Sequence, residues 1–545
     1  MIAYERLVTP REHLGVLIEP PPQALHALLW DAAATPHRAP DPLDVPLLDT
    51  TLAALRRSLR ERLQLAPPVL VTGHQAEFFH AGVFAKSIAA DALTAQFGGS
   101  IVFLTVDSDV PKSAQLAVPH LADGPGGRAV QRVRIDMPAC DLRLPVESQP
   151  ATPVEEWRRF FERVALMLPD AARSLLPAYV RGWYEGADRA IDFTTALIRA
   201  QRSVERELGL RATIGLRVSA LAATPEFHAF LAAIALRARE FADCYNAAQR
   251  DFRRRHRVRN AARPAPPLLI EDRRVELPFW VYRAGEPRRA LFVSAADTMR
   301  GRAAPGTDAE IAFFGGDALI GCERQARLAR SASLAEALAM EAAGWRIRPR
   351  ALALSCFARY FLADLFLHGL GGAKYDEMMQ HFGRRFFGAD PPPAGCVTAT
   401  LRLPLPTHGV DAAALAAARH ALRDLRYNPQ RRVMGLPGEL LRRREALIAE
   451  WRELRDRSYN TPRAGHASLS AARRRNFVEL REVNRLLLEA AGAQVAERVE
   501  EQRRLERQFG QDRVALHREW FYAFHPRATL EQLRDRIRFA VSASS

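Results

Sequence analysis

The chain has 545 residues, too many for one hydrophobic core, and its length points to roughly two to four domains rather than a small binding module. With 48% hydrophobic and 26% charged residues it reads as a soluble globular protein, and its longest apolar stretches (221–235 and 352–370) are broken by Glu, Arg, Asp or His short of the roughly 20 residues a membrane span needs. The net charge of +16 would suit a nucleic-acid partner, but three Lys stand against 75 Arg, the mark of GC-rich coding pressure, so Arg runs such as 253–255, 442–444 and 473–475 read as solvated helix faces.

The opening MIAYERLVTPREHLGV lacks a basic start followed by an apolar stretch, which argues against a signal peptide. The five cysteines (Cys140, Cys244, Cys322, Cys356, Cys396) lie far apart, with no zinc-type spacing, and fit reduced core residues of a cytoplasmic protein. The run PPVLV (67–71) reads as a buried strand that ends at Thr72-Gly73 and feeds a turn. A helix is expected over 81–97 and a second buried strand over 100–106. Strand, helix and strand in so few residues make a βαβ unit, hence a parallel sheet with a right-handed crossover.

Further strands are expected at 133–136 and 213–218, and one long helix over 225–254. Residues 262–295 alternate apolar and polar around Pro and Gly turns, the pattern of a small antiparallel insertion. Residues 351–388 read as two helices broken at His368-Gly369-Leu370-Gly371-Gly372, and 396–404 as a returning strand. From about 410 the chain reads as helical. Leu440, Leu447 and Leu454 form one seam and Phe477, Leu480, Leu487 and Ala491 another, on either side of the turn YNTPRAGHAS. The expected architecture is α/β: a core over 1–405, carrying the antiparallel insertion, and a helical, coiled-coil part over 406–545 that pairs two copies of the chain.

In so arginine-rich a chain, a surviving lysine marks a place where a compact ammonium or a shiftable pKa is needed. Lys86 lies in TGHQAEFFHAGVFAK, Lys112 in FLTVDSDVPKSAQ and Lys374 in DLFLHGLGGAKYD. Apolar neighbours around Lys86 imply a buried ammonium, either contacting a phosphate or carboxylate or paired internally with Glu77 or an Asp. Thr72, Gly73, His74, Gln75 and His80 surround it, with Gly73 for close backbone approach, helix amides aimed at an anion, and His74 and His80 for phosphate contact or proton transfer.

Asp107 and Asp109 follow a buried strand, where carboxylates hold a ribose hydroxyl, an amino group or Mg²⁺, or merely cap a loop. Asp364 and His368, four apart on an expected helical turn, would form an acid-oriented imidazole. Gly369, Gly371 and Gly372 would break the helix with positive φ and leave Lys374, Tyr375 and Asp376 at the next helix start. No Walker A loop, GxSxG, HExxH or GxGxxG is present.

These motifs together resemble the bacillithiol-biosynthesis cysteine-adding enzymes, the BshC family. The resemblance rests on Thr72-Gly73-His74-Gln75-Ala76 after the first strand, Asp107-Ser108-Asp109 after the second, Gly371-Gly372 after an apolar segment, and the helical hairpin beyond 410. His74 stands where that family has Gln, Glu77 to Gly82 replace its next residues, its His in the acidic turn is missing, and Lys374-Tyr375-Asp376 replace a Pro-containing segment. The resemblance implies a Rossmann-like nucleotidyltransferase core with inserted connecting segments, a coiled-coil dimerisation part, and ATP-dependent addition of cysteine to a glucosamine–malate acceptor.

The expected function is that of a cytoplasmic ligase-like enzyme that uses ATP, with or without Mg²⁺, to activate a carboxylate for transfer to an amine. His74, Lys86, His368 and Asp364 are its expected catalytic residues. No membrane or nucleic-acid partner is expected. The alternatives are a non-catalytic nucleotide- or nucleic-acid-binding scaffold and a transferase acting on a sugar nucleotide.

Overall fold

The computed structural model describes residues 7–34, 41–124, 127–211, 213–260, 265–294, 309–316, 318–319, 326–328, 343–460 and 466–542. Cys322 and part of the YNTPRAGHAS turn lie outside them. Two compact units result: Met1–Pro119, Val133–Pro404 and Arg518–Ser545 form the first, and His120–Arg132 with Leu405–His517 the second. Apart from His120–Arg132, the second unit runs from Leu405 to His517, and the chain rejoins the first unit at Arg518.

The first unit is built on a six-stranded sheet: β1 (Gly15–Glu19), β2 (Val69–Gln75), β3 (Ser100–Val106), β4 (Ile214–Arg217), β5 (Leu365–His368) and β6 (Ala394–Thr400), in the spatial order β1-β6-β5-β2-β3-β4. All neighbours are parallel except β1, which runs antiparallel to β6. From β2 the chain steps outward to β3 and β4, then returns to the other side of β2 for β5 and β6. The direction of winding therefore reverses between β2 and β5, and such a reversal opens a crevice at the carboxyl ends of the strands.

Strands covered on both faces read as unbroken apolar runs, and VLVT and IVFLT are buried throughout. β2 is longer than expected and runs through Gln75, because β3 pairs with it along its whole length from Val69↔Ser100 to Gln75↔Val106. Thr72, Gly73, His74 and Gln75 are thus strand residues and not a turn.

The helix α2 (Ala81–Phe97) has the expected bounds and is buried on every side from 81 to 94. One flank is covered by the last helix of the unit, Arg527–Ser542, through Leu530, Leu533, Ile537 and Val541, with Arg538 2.9 Å from Asp91. The expected long helix over 225–254 is two helices, Pro225–Leu236 and Ala238–Arg255, separated at Arg237, whose φ of −117° and ψ of 34° leave the helical region. The expected strand at 133–136 lies in an antiparallel hairpin, Gln115–Gly124 with Gly127–Asp136, and not in the main sheet. The antiparallel insertion is larger than 262–295. Val275–Arg283 and Arg289–Ser294 are joined by strands as far as Trp345–Pro349.

The largest correction falls at 363–368. The segment expected to be helical leaves the helix at Ala363, whose ψ is 139°, and becomes strand β5, whose four residues are all buried. The open edge of β2 is satisfied by this pairing, and tertiary hydrogen bonding outweighs local helical spacing.

In the second unit, helices Gly438–Asn460 and His466–Ala490 pack antiparallel, with Arg443 paired to Glu479, Arg444 to Asn484 and Asn476 to Leu447. Leu447, Leu487 and Ala491 are buried in their seam with Leu440 and Leu480 partly so, as the spacing predicts, whereas Phe477 is 54% exposed. Ala412–Tyr427 and Gly492–Ala515 form a second antiparallel pair, with Arg419 2.9 Å from Glu506.

Candidate functional site

A cavity of about 520 Å³ opens at the carboxyl ends of β2, β3 and β5, where the winding of the sheet reverses. Its walls combine Gly73, His74, Gln75, His80 and Lys86 from β2 and α2, Ser108 and Asp109 beyond β3, and His368, Gly369, Gly371 and Gly372 beyond β5. Trp280, Arg288 and Arg350 reach it from the antiparallel sheet and the residue after it, and Arg518 and Glu519 from the segment that returns to the unit.

Lys86 is 2% exposed and donates to the carbonyl oxygen of Gly73, and its Nζ lies 5.9 Å from the centre of the Phe103 ring. Among the described residues no carboxylate lies within 4.0 Å of it, and burial lowers its pKa to about 7. The internal ion pair with Glu77 or an Asp does not form. Glu77 instead takes Lys112 at 2.9 Å, with His74 Nδ1 3.5 Å from the same oxygen. Burial, then Lys86 and Lys112, push His74 well below its usual value, so at neutral pH it is an uncharged imidazole.

Gly73 is demanded by the sheet. A Cβ there would stand 2.5 Å from the Leu104 oxygen. His80 caps α2, its Nδ1 accepting from the amide of Gly82 at 3.0 Å. Arg518 lies beside that first turn, bonded to Thr398 Oγ1 at 3.3 Å and the Ala399 oxygen at 3.1 Å, with its Nε buried and without a partner. Its guanidinium stands at the positive end of the helix dipole, packed so closely that a Cβ on Gly82 would lie 2.7 Å from Nη2, and the charge of Glu519 acts on it. Across the cavity Arg288 pairs with Asp109 at 2.6 Å, and Gln75 donates to the same carboxylate. Arg288 and Arg350 both stack on Trp280, at 4.8 and 4.1 Å, and Arg350, paired with Glu276, also has a buried Nε without a partner.

His368 is held differently from the sequence expectation. At the end of β5 its Nε2 lies 2.8 Å from Asp376, in the second turn of helix α3 (Leu370–Phe387), and the other oxygen of Asp376 takes Arg359 at 2.7 Å. Burial opposes the charge of Asp376, but Arg359 and His368 prevail and hold its pKa at about 2. Asp364 is not the partner of His368. It sits at the amino end of β5, away from the cavity, bound to Arg56 at 2.7 Å, Arg60 at 2.8 Å and the amide of Val69 at 2.7 Å. A strand of four residues separates 364 from 368 by its whole length, where a helical turn would have stacked them.

None of Gly369, Gly371 and Gly372 has positive φ. What they provide is space. A Cβ on Gly369 or Gly371 would meet nothing within 4 Å, and one on Gly372 would stand 2.8 Å from His368 Nδ1.

Other expected site residues lie off this cavity. Thr72 ties β2 to β5 through the Leu367 oxygen at 2.8 Å. Asp107 is fully buried and caps Ser219, its amide at 2.9 Å; burial raises its pKa to about 6. Tyr375 packs toward Phe252 in the core. Lys112 lines a neighbouring cavity, and Lys374 lines neither, although its charge reaches Cys396 together with that of Lys86. The three lysines therefore do not converge on one cavity.

The cations sequence reasoning missed are Arg288, Arg350 and Arg518, because among 75 arginines nothing in composition marks them out. Among the described residues no group of three or more His, Cys, Asp or Glu is placed to hold a metal ion, and no helix is long and apolar enough to cross a membrane. No protein-family model matches the chain, and no match was found among curated proteins.

Proposed function

We propose that the cavity binds the phosphates of ATP and that the chain is a ligase-like enzyme that activates a carboxylate, of cysteine or another amino acid, for transfer to an amine. The observation that carries this reading is the cavity at the reversal of the sheet, where among the described residues Lys86 forms no ion pair and the first turn of α3 is open above Gly369 and Gly371. Phosphoryl and acyl transfer gather negative charge in the transition state, and fixed cations and backbone amides stabilise it there. Of the two carboxylates in the walls, Asp109 is already tied to Arg288 and Gln75.

The strand order supports reading the core as Rossmann-like, and with the paired helices it agrees with the resemblance to the bacillithiol cysteine-adding enzymes. In this reading His368, fixed through Nε2 by Asp376, presents its other nitrogen as a general base. Lys86, with a pKa of about 7, exchanges a proton near neutrality. The helical unit pairs two copies through the face that carries exposed Phe477 and Val478, and the protein works in the cytoplasm.

The scaffold reading is weaker, because arginines of the helical unit are neutralised within it, Arg485 by Glu482 and Glu489 and Arg498 by Glu501. The test is titration of the purified chain with Mg·ATP, followed by amino-acid-dependent release of ADP or AMP across a panel that begins with cysteine. Absence of binding and of thermal stabilisation at millimolar Mg·ATP ends this reading.

A further inference from the structure

His368 is 5% exposed, and both its backbone and its ring are fixed. Strand β5 is paired on its two sides, at Phe366↔Val71 and His368↔Cys396, the Phe366 and His368 ring centres are 4.4 Å apart, and Asp376 holds Nε2 at 2.8 Å. Because Asp376 is held ionised, Nε2 carries the proton of the uncharged ring and the lone pair stands on Nδ1. Among the described residues nothing bonds to Nδ1, yet it is not sealed in, unlike both nitrogens of His525.

The surroundings of that nitrogen suit an anion. His368 lines the large cavity together with Gly369, Gly371 and Gly372. Nδ1 abuts the first turn of α3, since a Cβ on Gly372 would stand 2.8 Å from it, and the space over Gly369 and Gly371 is open. Gly369, at the N-cap, has no side chain with which to bond the first amides, which lack partners within the helix. Free amides at the positive end of an 18-residue helix draw a phosphate to the place where the lone pair stands.

We propose that His368 Nδ1 is the nucleophile of this site and is phosphorylated by ATP before the carboxylate is activated. The proposal rests on the nucleotide reading of the cavity and fixes which bond of ATP is cut. The Nδ1 lone pair bonds to the γ-phosphorus as the bond from that phosphorus to the bridging oxygen breaks, and ADP leaves with the electron pair. The positive charge gained by the ring is shared through the Nε2 proton with Asp376, itself anchored by Arg359 at 2.7 Å. An oxygen of the substrate carboxylate then takes the phosphoryl group, and the electron pair of the nitrogen–phosphorus bond returns to Nδ1. Attack of the amine on the acyl phosphate releases phosphate and a proton, which the restored lone pair accepts, so nucleophile and general base are the same nitrogen in successive steps. The products from ATP are ADP and phosphate, not AMP and pyrophosphate.

The test incubates the purified full chain with Mg·ATP labelled at the γ-phosphorus or, in a parallel sample, at the α-phosphorus. Protein-bound label should come from the γ position alone, survive alkali and be lost in acid, the signature of a nitrogen–phosphorus bond. Tandem mass spectrometry should place it on His368, and His368→Asn should carry none. Gly372→Ala is a mild change for a helix but sets a methyl group 2.8 Å from Nδ1, and it should slow labelling by about 100-fold. If His368→Asn does not fold, Gly372→Ala and the mapped position decide. Label from the α-phosphorus, label on His74 or His80 of the same cavity, or labelling of Gly372→Ala at the wild-type rate overturns the proposal. Thermal stabilisation by Mg·ATP without any label sinks the phosphorylated intermediate alone, and absence of both sinks the nucleotide reading with it.

Discussion

Replacing Lys86 by Met should make the first unit more stable, by an amount that depends on pH. Burial lowers the Lys86 pKa from 10.5 to about 7. Between those values the unfolded chain binds a proton that the folded chain has shed, so stability rises with pH across that window. The full penalty of about 5 kcal/mol, at about 1.4 kcal/mol per pH step, applies below pH 7. At pH 9 about 2 kcal/mol of it remains, so wild type should gain about 3 kcal/mol relative to Lys86→Met between pH 6 and pH 9. The lost bond to the Gly73 oxygen costs Lys86→Met about 1 kcal/mol at both pH values and cancels from that difference. Denaturant titrations of both proteins, followed by tryptophan fluorescence, read it directly, since Trp451 alone of the seven tryptophans belongs to the second unit. A stability gap that does not change from pH 6 to pH 9 would refute the buried, carboxylate-free ammonium. If the anion reading is right, Lys86→Met also weakens Mg·ATP binding by about ten-fold or more.

Asp364→Asn strips the countercharge from Arg56 and Arg60 and should destabilise the first unit by about 3–5 kcal/mol, while the nucleotide affinity of the folded fraction, read by calorimetry, stays unchanged. Asp376→Asn should retain Mg·ATP binding but lower turnover by about 100-fold or more, because His368 loses its orienting partner; unchanged turnover would remove His368 from the mechanism. Gly73→Ala forces a Cβ to 2.5 Å from the Leu104 oxygen and should cost about 1–3 kcal/mol in a denaturant titration. Phe477→Arg combined with Val478→Glu should convert a dimer to a monomer in light scattering at unchanged helix content; a wild-type protein already monomeric at micromolar concentration would remove the dimer proposal.

How far the sequence spoke depended on how each segment is buried. Ser100–Val106 and Ala81–Phe97 could be bounded to the residue, since a strand whose five central residues are all buried and a helix with no polar face admit few alternatives. The four buried residues of Leu365–His368 offered no such constraint. A run so short between helical stretches carries no period, and only the vacant edge of β2 decides it. That misreading carried Asp364 into the site and left Asp376, named from the same loop as a ligand contact, without its actual role as the partner of His368. The rarity of lysine pointed to Lys86, which lines the cavity, but hid the cavity's other cations, because an abundant residue type carries no signal at the few positions where it matters. Arg288 and Arg350 are brought to the cavity by long-range strand pairing around Trp280, which no local pattern encodes.

The helical unit is an excursion between β6 and Arg518, and the wall it interrupts is finished only after the chain comes back. During synthesis β2 and α2 leave the ribosome long before Arg518 and Glu519, and at ordinary elongation rates of about 5–20 residues per second the interval lasts tens of seconds. Throughout that time the nascent cleft lacks one bank, and the flank of α2 that Leu530 and Ile537 will cover faces water. Completion of the binding site and burial of that greasy flank are thus a single late event, scheduled by where the excursion sits in the message.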